Sequence, residues 1–151
     1  MTRAGADRTV HNEAAERLAA QDQRYTGGRR SLVAALLESA RPLSVCEILR
    51  LAGVDLPQSS AYRNLAVLME AGVVARIDTG SDQARFELDE GLSGDHHHHL
   101  VCGKCETVAD VVAFPRLERA LDAAARLAEE ESGFDVTGHK IDLVGLCARC
   151  R

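Results

Sequence analysis

One stretch of the sequence decides the fold: His96-His97-His98-His99-Leu100-Val101-Cys102-Gly103-Lys104-Cys105. Its cysteines have a matching pair in Cys147-Ala148-Arg149-Cys150. Two intervening residues let both sulfurs of a pair face one tetrahedral cation, so the pairs predict a closed, structural zinc site. Its ligands would be Cys102, Cys105, Cys147 and Cys150. The distance between the pairs exceeds zinc-ribbon spacing and implies a folded element in the loop. Redox disulfides or inert thiols are the alternative interpretation.

The four histidines predict further metal ligands. If they enter a strand that leads to Cys102, His97 and His99 point to one face and His96 and His98 to the other. One run can therefore supply two separate sites, and each pair then needs further nitrogen or oxygen ligands. The candidates of suitable chemistry are Glu87, Glu118 and His139. The alternatives are two solvated carboxylates and a hydrogen-bonded histidine within a sheet.

Composition and charge limit the classes of protein to consider. The chain has 151 residues, is 46% hydrophobic and carries a net charge of -5, which excludes a disordered chain. No run approaches the about 18 apolar residues of a membrane span, and residues 1–22 lack the apolar segment of a secretory signal. We therefore expect a cytoplasmic protein. Residues 1–85 carry 11 basic and 10 acidic side chains, against 7 and 13 in residues 86–151, which predicts two units with different tasks.

The first half has the pattern of a winged helix-turn-helix domain. Four helices and two strands are predicted, over Asn12–Gln23, Arg29–Ala40, Ser44–Gly53, Pro57–Ala71, Val73–Ile77 and Ala84–Leu88. The third helix opens with the capping box Ser44-Val45-Cys46-Glu47. Residues 79–83 are predicted to form the turn between the strands. Cys46 is expected to be a small buried residue.

The second half has the pattern of a small unit with three strands and one long helix. The strands are predicted at His98–Cys102, Thr107–Phe114 and Phe134–Cys147, and the helix at Pro115–Glu131. Glu118 would lie on the helix and His139 on the last strand. The apolar core of such a unit is small, so a structural metal would add stability.

The helix from Pro57 to Ala71 has one packed face and one polar face. Ala61, Leu65, Leu68 and Gly72 share the packed sector at about 100° per residue. The polar side chains suit phosphates and base edges near a helix N-terminus. They are Ser59, Ser60, Tyr62, Arg63 and Asn64. Three arginines in Arg24–Arg30 form a basic cluster before it, so this half is predicted to bind DNA.

These motifs together resemble the ferric uptake regulator (Fur) superfamily of metal-sensing repressors. Ser60–Leu65 is similar to the recognition-helix motif of that family, Arg85–Leu88 to its wing strand, and His96–Cys105 to its metal signature. The resemblance implies an α+β fold: an N-terminal winged helix-turn-helix domain at 1–88, a hinge at 89–95, and at 96–151 a small C-terminal α/β dimerisation domain with the four-cysteine zinc site.

The resemblance also implies residue roles. Tyr62 would contact bases, Arg63 phosphates, and Arg24 the region of the minor groove. A regulatory metal would bind Glu87, His97 and His99. A second site in the dimerisation domain would use His96, His98, Glu118 and His139. The protein would be a homodimer on a palindromic double-stranded DNA operator, with no enzymatic or membrane role.

This chain departs from the family pattern around the regulatory site. Many members supply a histidine just before the capping-box helix, where this chain has Arg41-Pro42-Leu43. The fourth ligand is therefore open, and the long linker offers Asp89 or Glu90. Glu87 is similar to the iron and peroxide branches, so Fe2+ is slightly favoured, Zn2+ is next, and Mn2+ and Ni2+ follow. The competing functions are a zinc-stapled interaction module without DNA binding and a zinc hydrolase.

Overall fold

A computed structural model describes residues 3–39, 41–80, 84–94 and 96–151 of the chain. The chain forms two compact units, Met1–Asp95 and His96–Arg151. No helix in the described part of the chain is long and apolar enough to cross a membrane. The sequence-based division at residues 88 and 95 stays a prediction.

The N-terminal unit contains five helices and a three-stranded sheet among its described residues. In chain order these are α1 (Arg3–Ala19), α2 (Gly27–Glu38), β1 (Leu43–Ser44), α3 (Val45–Ala52), α4 (Gln58–Glu70), β2 (Val74–Ile77), β3 (Arg85–Leu88) and α5 (Glu90–Ser93). The sheet order is β1-β3-β2, and both pairings are antiparallel. The order of α3, α4 and the β2–β3 hairpin confirms the winged helix-turn-helix prediction. Residues 81–83 of the predicted turn lie outside the described residues.

The helices pack a common apolar core because their sequences repeat at helical spacing. Leu32, Val33, Ile48, Leu65 and Leu68 are at most 1% exposed. The α3 helix begins at the predicted capping box, in which the Glu47 amide donates to the Ser44 hydroxyl at 3.3 Å and Glu47 Oε2 accepts from the Ser44 amide at 2.9 Å. It ends at Gly53, whose φ of 59° favours glycine.

The C-terminal unit forms the predicted three strands and one helix. These are β4 (His97–Cys102), β5 (Val108–Val112), α6 (Pro115–Ser132) and β6 (Asp142–Gly145). The sheet order is β5-β4-β6, with β4 antiparallel to β5 and parallel to β6. The central strand β4 is thus the element from which both histidine faces and Cys102 project.

Four expectations about local structure were wrong. The α1 helix spans Arg3–Ala19 instead of Asn12–Gln23. The strand predicted for Phe134–Cys147 is confined to Asp142–Gly145, because pairing with β4 covers only those four residues. His139 therefore precedes the last strand. Cys46 is exposed and not buried, since it lies on the face of α3 opposite Ile48.

The segment predicted as a hinge, 89–95, contains the short helix α5. Asp89 caps this helix by accepting a hydrogen bond from the Gly91 amide at 3.0 Å. The same carboxylate lies 3.3 Å from the Arg17 guanidinium. Asp89 therefore has a structural task within the N-terminal unit, and Asp95 lies outside the described residues.

Candidate metal centres and nucleic-acid interface

The four cysteines converge at one end of the C-terminal sheet. Their sulfur atoms all lie within 4.8 Å of one another. Cys102 ends β4, Cys105 follows in the adjoining turn, and Cys147 and Cys150 come after β6. The parallel pairing of β4 with β6, in which Cys102 faces Gly145, brings the two pairs together. The structure thus forms the predicted four-sulfur cluster, and this chemistry fits a tetrahedral metal.

The pKa values of two of these thiols move in opposite directions because the four sulfurs lie close together. The Cys147 amide donates to the Cys102 sulfur at 3.4 Å, and with the amides of Cys105 and Lys104 it lowers the pKa of Cys102 to about 6. The pKa of Cys150 is instead raised to about 12, chiefly by its hydrogen bonds with Cys105 and Cys147. Negative charge on several adjacent thiolates is costly without a counter-cation, and a bound dication lets all four ionise.

A second cluster gathers His96, His98, His139 and Glu118. Their ligand atoms also lie within 4.8 Å of one another. Glu118 lies in the first turn of α6, and its carboxylate faces the Nε2 atoms of all three imidazoles. The oxygen-to-Nε2 distance is 2.7 Å for His98 and 3.1 Å for His96 and His139. His98 is 2% exposed. The structure therefore brings together all four residues predicted for the second site.

One atom of this second cluster lacks a normal partner. His139 Nε2 is buried and lies 3.1 Å from Glu118 Oε2, but it makes no hydrogen bond. The hydrogen bond with His98 is the main cause that lowers the pKa of Glu118. An ionised carboxylate with three converging imidazole nitrogens, one of them orphaned, fits a divalent cation that binds nitrogen and oxygen.

The opposite face of β4 carries a third group. The His97 and His99 rings have centroids 5.0 Å apart, and those of His96 and His98 are 5.1 Å apart. This confirms the alternation expected from strand geometry. Asp110 on β5 joins the first pair, with ligand atoms within 4.8 Å. Asp110 was not predicted from the sequence, although its register with His99 follows from the antiparallel β4–β5 pairing.

Glu87, the other predicted regulatory ligand, belongs to the N-terminal unit. It lies on β3 opposite Ala75, on the half-buried face of the strand. The neighbouring Phe86 and Leu88 point into the core instead. The alternation of the wing strand thus leaves the Glu87 carboxylate outside the apolar core.

The α4 helix presents the predicted polar face. Ala61, Leu65 and Leu68 are buried, and Tyr62 is 45% exposed. Ser59 and Arg63 are exposed, while Ser60 and Asn64 are half-buried. Arg63 donates to the Ser60 hydroxyl at 3.1 Å. The helix therefore keeps hydrogen-bonding side chains at its N-terminal end, where backbone amides favour an anion.

Arg29 links the basic cluster Arg24–Arg30 to α4, and the sequence did not predict this contact. Its Nε donates to Asn64 Oδ1 at 3.3 Å, and its guanidinium also donates to the Arg24 carbonyl at 2.6 Å. The exposed Arg24 is therefore tied to the α4 surface. The sequence signal was limited to the presence of three arginines, since a contact across 35 residues depends on how α2 packs on α4.

Comparison with known proteins identifies the family. Residues 20–144 match the Ferric uptake regulator family. The chain belongs to this family. It is 28% identical over 149 residues to the peroxide-responsive repressor PerR of Staphylococcus aureus, covering 95% of both chains. A solved zinc-bound manganese uptake regulator is 30% identical, with a TM-score of 0.64 over 92% of this chain and 98% of that one.

The fold of the family is evident at lower identity as well. The Helicobacter pylori ferric uptake regulator Fur is 20% identical, with a TM-score of 0.75 over 95% of this chain and 93% of that one. Three functional metal-binding sites are described for that protein. Membership confirms that this chain is a metal-sensing repressor of the Fur type and not an enzyme. The zinc hydrolase hypothesis is therefore wrong.

The position before α3 has a different task in this Fur-family chain. Arg41 donates to Glu47 Oε1 at 2.6 Å, and Arg85 donates to Glu47 Oε2 at 2.8 Å. Burial opposes ionisation of Glu47, but hydrogen bonds from Arg41 and Ser44 outweigh it and lower its pKa to about 2. The segment before α3 therefore belongs to an ion-pair network that supports β1 and β3.

Proposed function

We propose that this chain is a metal-dependent repressor that binds a palindromic DNA operator as a homodimer and controls metal homeostasis. The observation that carries the proposal is that three clusters of possible metal ligands all include residues of the strand β4. His97 and His99 project from one face of β4, His98 projects from the other together with His96 just before the strand, and Cys102 ends the strand. Each of the three groups therefore takes at least one of its ligands from this strand.

The regulatory site is proposed to use Glu87, His97 and His99, with Asp110 as the additional ligand. Two imidazoles and two carboxylates suit Fe2+, Zn2+, Mn2+ and Ni2+, and we rank the metals in the order Fe2+, Zn2+, then Mn2+ and Ni2+. Glu87 belongs to the N-terminal unit, and His97 and His99 belong to the C-terminal unit. A cation shared by them would favour one arrangement of the two units, which selects the state competent for DNA.

The two other clusters have structural tasks in this proposal. A Zn2+ ion bound by Cys102, Cys105, Cys147 and Cys150 would have a closed shell and leave no open position for chemistry. A cation bound by His96, His98, Glu118 and His139 would tie α6 and the segment before β6 to β4.

DNA contact is assigned to the exposed end of α4. Tyr62 would reach base edges and Arg63 the phosphates, while Arg24 would lie near the minor groove. The remaining contacts would come from Ser59, Ser60 and Asn64. The support for this assignment is the exposure of Tyr62 and Arg63 together with the Arg29 link that holds Arg24 beside Asn64.

A second copy of the chain is the proposed cover for the apolar surface of the C-terminal unit. Val144 is 74% exposed, Leu146 55% and Phe134 75%. The α6 helix has no buried residue, and its Leu127 is 58% exposed. Exposed large apolar side chains in this number favour a protein interface. A homodimer would also match the two half-sites of a palindrome.

The decisive experiment measures operator binding during titration with Fe2+, Zn2+, Mn2+ and Ni2+, with the zinc content determined in parallel. We expect a shift of an operator-like duplex only when divalent metal is present. The double variant His97→Ala/His99→Ala should lose this metal dependence, and Arg63→Ala should lose DNA binding. Arg50→Ala, another exposed arginine of the N-terminal unit, is the control. Operator binding that is insensitive to EDTA and to the histidine changes would contradict the proposal.

A further inference from the structure

A carboxylate that belongs to none of the three clusters lies directly beside His99. Asp142, the first residue of β6, is the register partner of His99 in the parallel β4–β6 pair. Its Oδ1 lies 3.1 Å from Nδ1 of the His99 imidazole. On the other side of the same strand, Asp110 is also in register with His99. The imidazole of His99 therefore stands between two aspartates on one face of the sheet.

The burial of His99 lets its contact with Asp142 determine which ring nitrogen carries the proton. The His99 side chain is 11% exposed, whereas the Asp142 side chain is 39% exposed. A buried imidazole has few alternatives in water for its second nitrogen, so the carboxylate determines which nitrogen carries the proton. Because Asp142 accepts at Nδ1, the proton stays there, and Nε2 keeps the lone pair with which an imidazole binds a cation.

The second cluster uses its carboxylate differently. There Glu118 lies among the imidazoles and faces their Nε2 atoms at 2.7 to 3.1 Å. Asp142 instead meets the Nδ1 atom of its histidine. In metal sites a ligating histidine commonly donates its other N–H to such a carboxylate, which fixes the ring and its tautomer.

We propose that Asp142 is the positioning residue of the regulatory site. It holds His99 in the Nδ1–H tautomer and presents Nε2, together with His97 and Asp110, to the divalent cation. This rests on the proposed function, in which His97 and His99 bind the regulatory metal. Asp142 acts through His99 and does not itself bind the cation.

The first test determines the tautomer in the dimer that carries zinc at the four cysteines and no other metal. Long-range 15N NMR spectra of the imidazoles distinguish Nδ1–H from Nε2–H. The wild-type protein should show Nδ1–H at His99. Asp142→Ala should shift this ring toward Nε2–H, whereas Asp142→Asn should keep Nδ1–H because its amide oxygen still accepts. Asp135→Ala, which removes an exposed carboxylate nearby in sequence, should change nothing.

The second test measures Mn2+ affinity in a His139→Asn background, which weakens the other nitrogen and oxygen cluster. Asp142→Ala should bind Mn2+ roughly ten- to a hundredfold more weakly, and Asp142→Asn should lie between it and the wild type. The zinc content of the four cysteines should remain unchanged in every variant. This readout separates a positioning effect from a general loss of structure.

Three results would overturn the assignment. Unchanged tautomer and affinity in Asp142→Ala would show that the carboxylate does not position His99. Equal losses of affinity in the Ala and Asn variants, with the tautomer unchanged, would make Asp142 a direct ligand. Wild-type His99 in the Nε2–H form would also exclude the role. Failure of the proposed function has a different signature, namely Mn2+ affinity and operator binding that are insensitive to His97→Ala.

Discussion

The two units of this chain are stabilised by different interactions. The N-terminal unit buries a continuous set of apolar side chains from its helices and its sheet. In the described C-terminal unit the buried apolar residues are Val101, Cys102 and Val108. All four residues of β6 are exposed, and α6 buries none. The C-terminal unit instead places cysteines, histidines and carboxylates in three clusters.

This difference shows how one chain can combine an N-terminal unit stabilised by its own apolar core with a C-terminal unit whose apolar core is small. A short unit with a small core gains too little from apolar burial to offset its chain entropy. Under the proposed function, metal ligation and a second copy of the chain would supply the missing free energy. The stability of the C-terminal unit would then depend on metal and on protein concentration, whereas the stability of the N-terminal unit would not.

The largest effect is expected from breaking the four-cysteine cluster. Cys147→Ser removes one thiolate from a site whose metal-binding free energy is about 10 kcal/mol in comparable structural zinc sites. We therefore expect residues 96–151 to lose their protection in hydrogen exchange, while α2 and α4 keep theirs. Measurement by mass spectrometry resolves the two units in one experiment.

The chain supplies its own control for this change. Cys46→Ser alters an exposed cysteine that lies outside the cluster and should leave both units protected. A Cys147→Ser protein that binds no zinc and still protects β4 would show that the C-terminal unit is stable without this site.

A complementary experiment reduces the apolar core of the N-terminal unit and leaves the metal clusters of the C-terminal unit unchanged. Leu65 is 1% exposed in α4, so Leu65→Ala should lower the free energy of unfolding of the N-terminal unit by about 2–5 kcal/mol. Zinc bound by the four cysteines should remain at the wild-type level. Leu51→Ala, at a residue 45% exposed, should cost far less. Urea unfolding with parallel zinc determination checks both, and loss of zinc in Leu65→Ala would contradict the separation of the units.

A polar network contributes less and depends on pH. The pKa of Glu47 is lowered from 4.5 to about 2, so its contribution is present above pH 4.5 and is lost as the pH falls toward 2. Glu47→Gln should lower the free energy of unfolding by about 2 kcal/mol at pH 7, and the difference from wild type should shrink below pH 4.5. Urea midpoints across this range test the sign. Asp55→Asn is the exposed control, and a pH-independent difference would exclude the linkage.

The elements predicted with success are those whose signals are local. The capping box marks the start of α3, and the CxxC pairs and the histidine alternation follow from spacing along one strand. The packed face of α4 follows from helical period. In each of these cases the interacting atoms belong to neighbouring residues or to one regular element.

The residues that were missed or misplaced depend on pairing between distant segments. Asp110 and Asp142 acquire their positions beside His99 from the register of β5 and β6, which the sequence pattern does not specify. The strand around His139 was predicted too long because alternation continues beyond the residues that pair. Arg29 contacts Asn64 only through the packing of two helices.

The smallest effect is expected from the polar contacts that attach α1 to the rest of the N-terminal unit. Arg17 donates to the Gly72 carbonyl and to Asp89 at 3.3 Å, and pairs with Glu13 at 2.7 Å. Because its side chain is 27% exposed, water can solvate much of what a substitution leaves behind. Arg17→Met keeps the apolar stem and should cost about 1 kcal/mol. Urea unfolding tests this against Arg8→Met on the same helix. A loss as large as that of Leu65→Ala would mean that these polar contacts stabilise the N-terminal unit as much as apolar burial does.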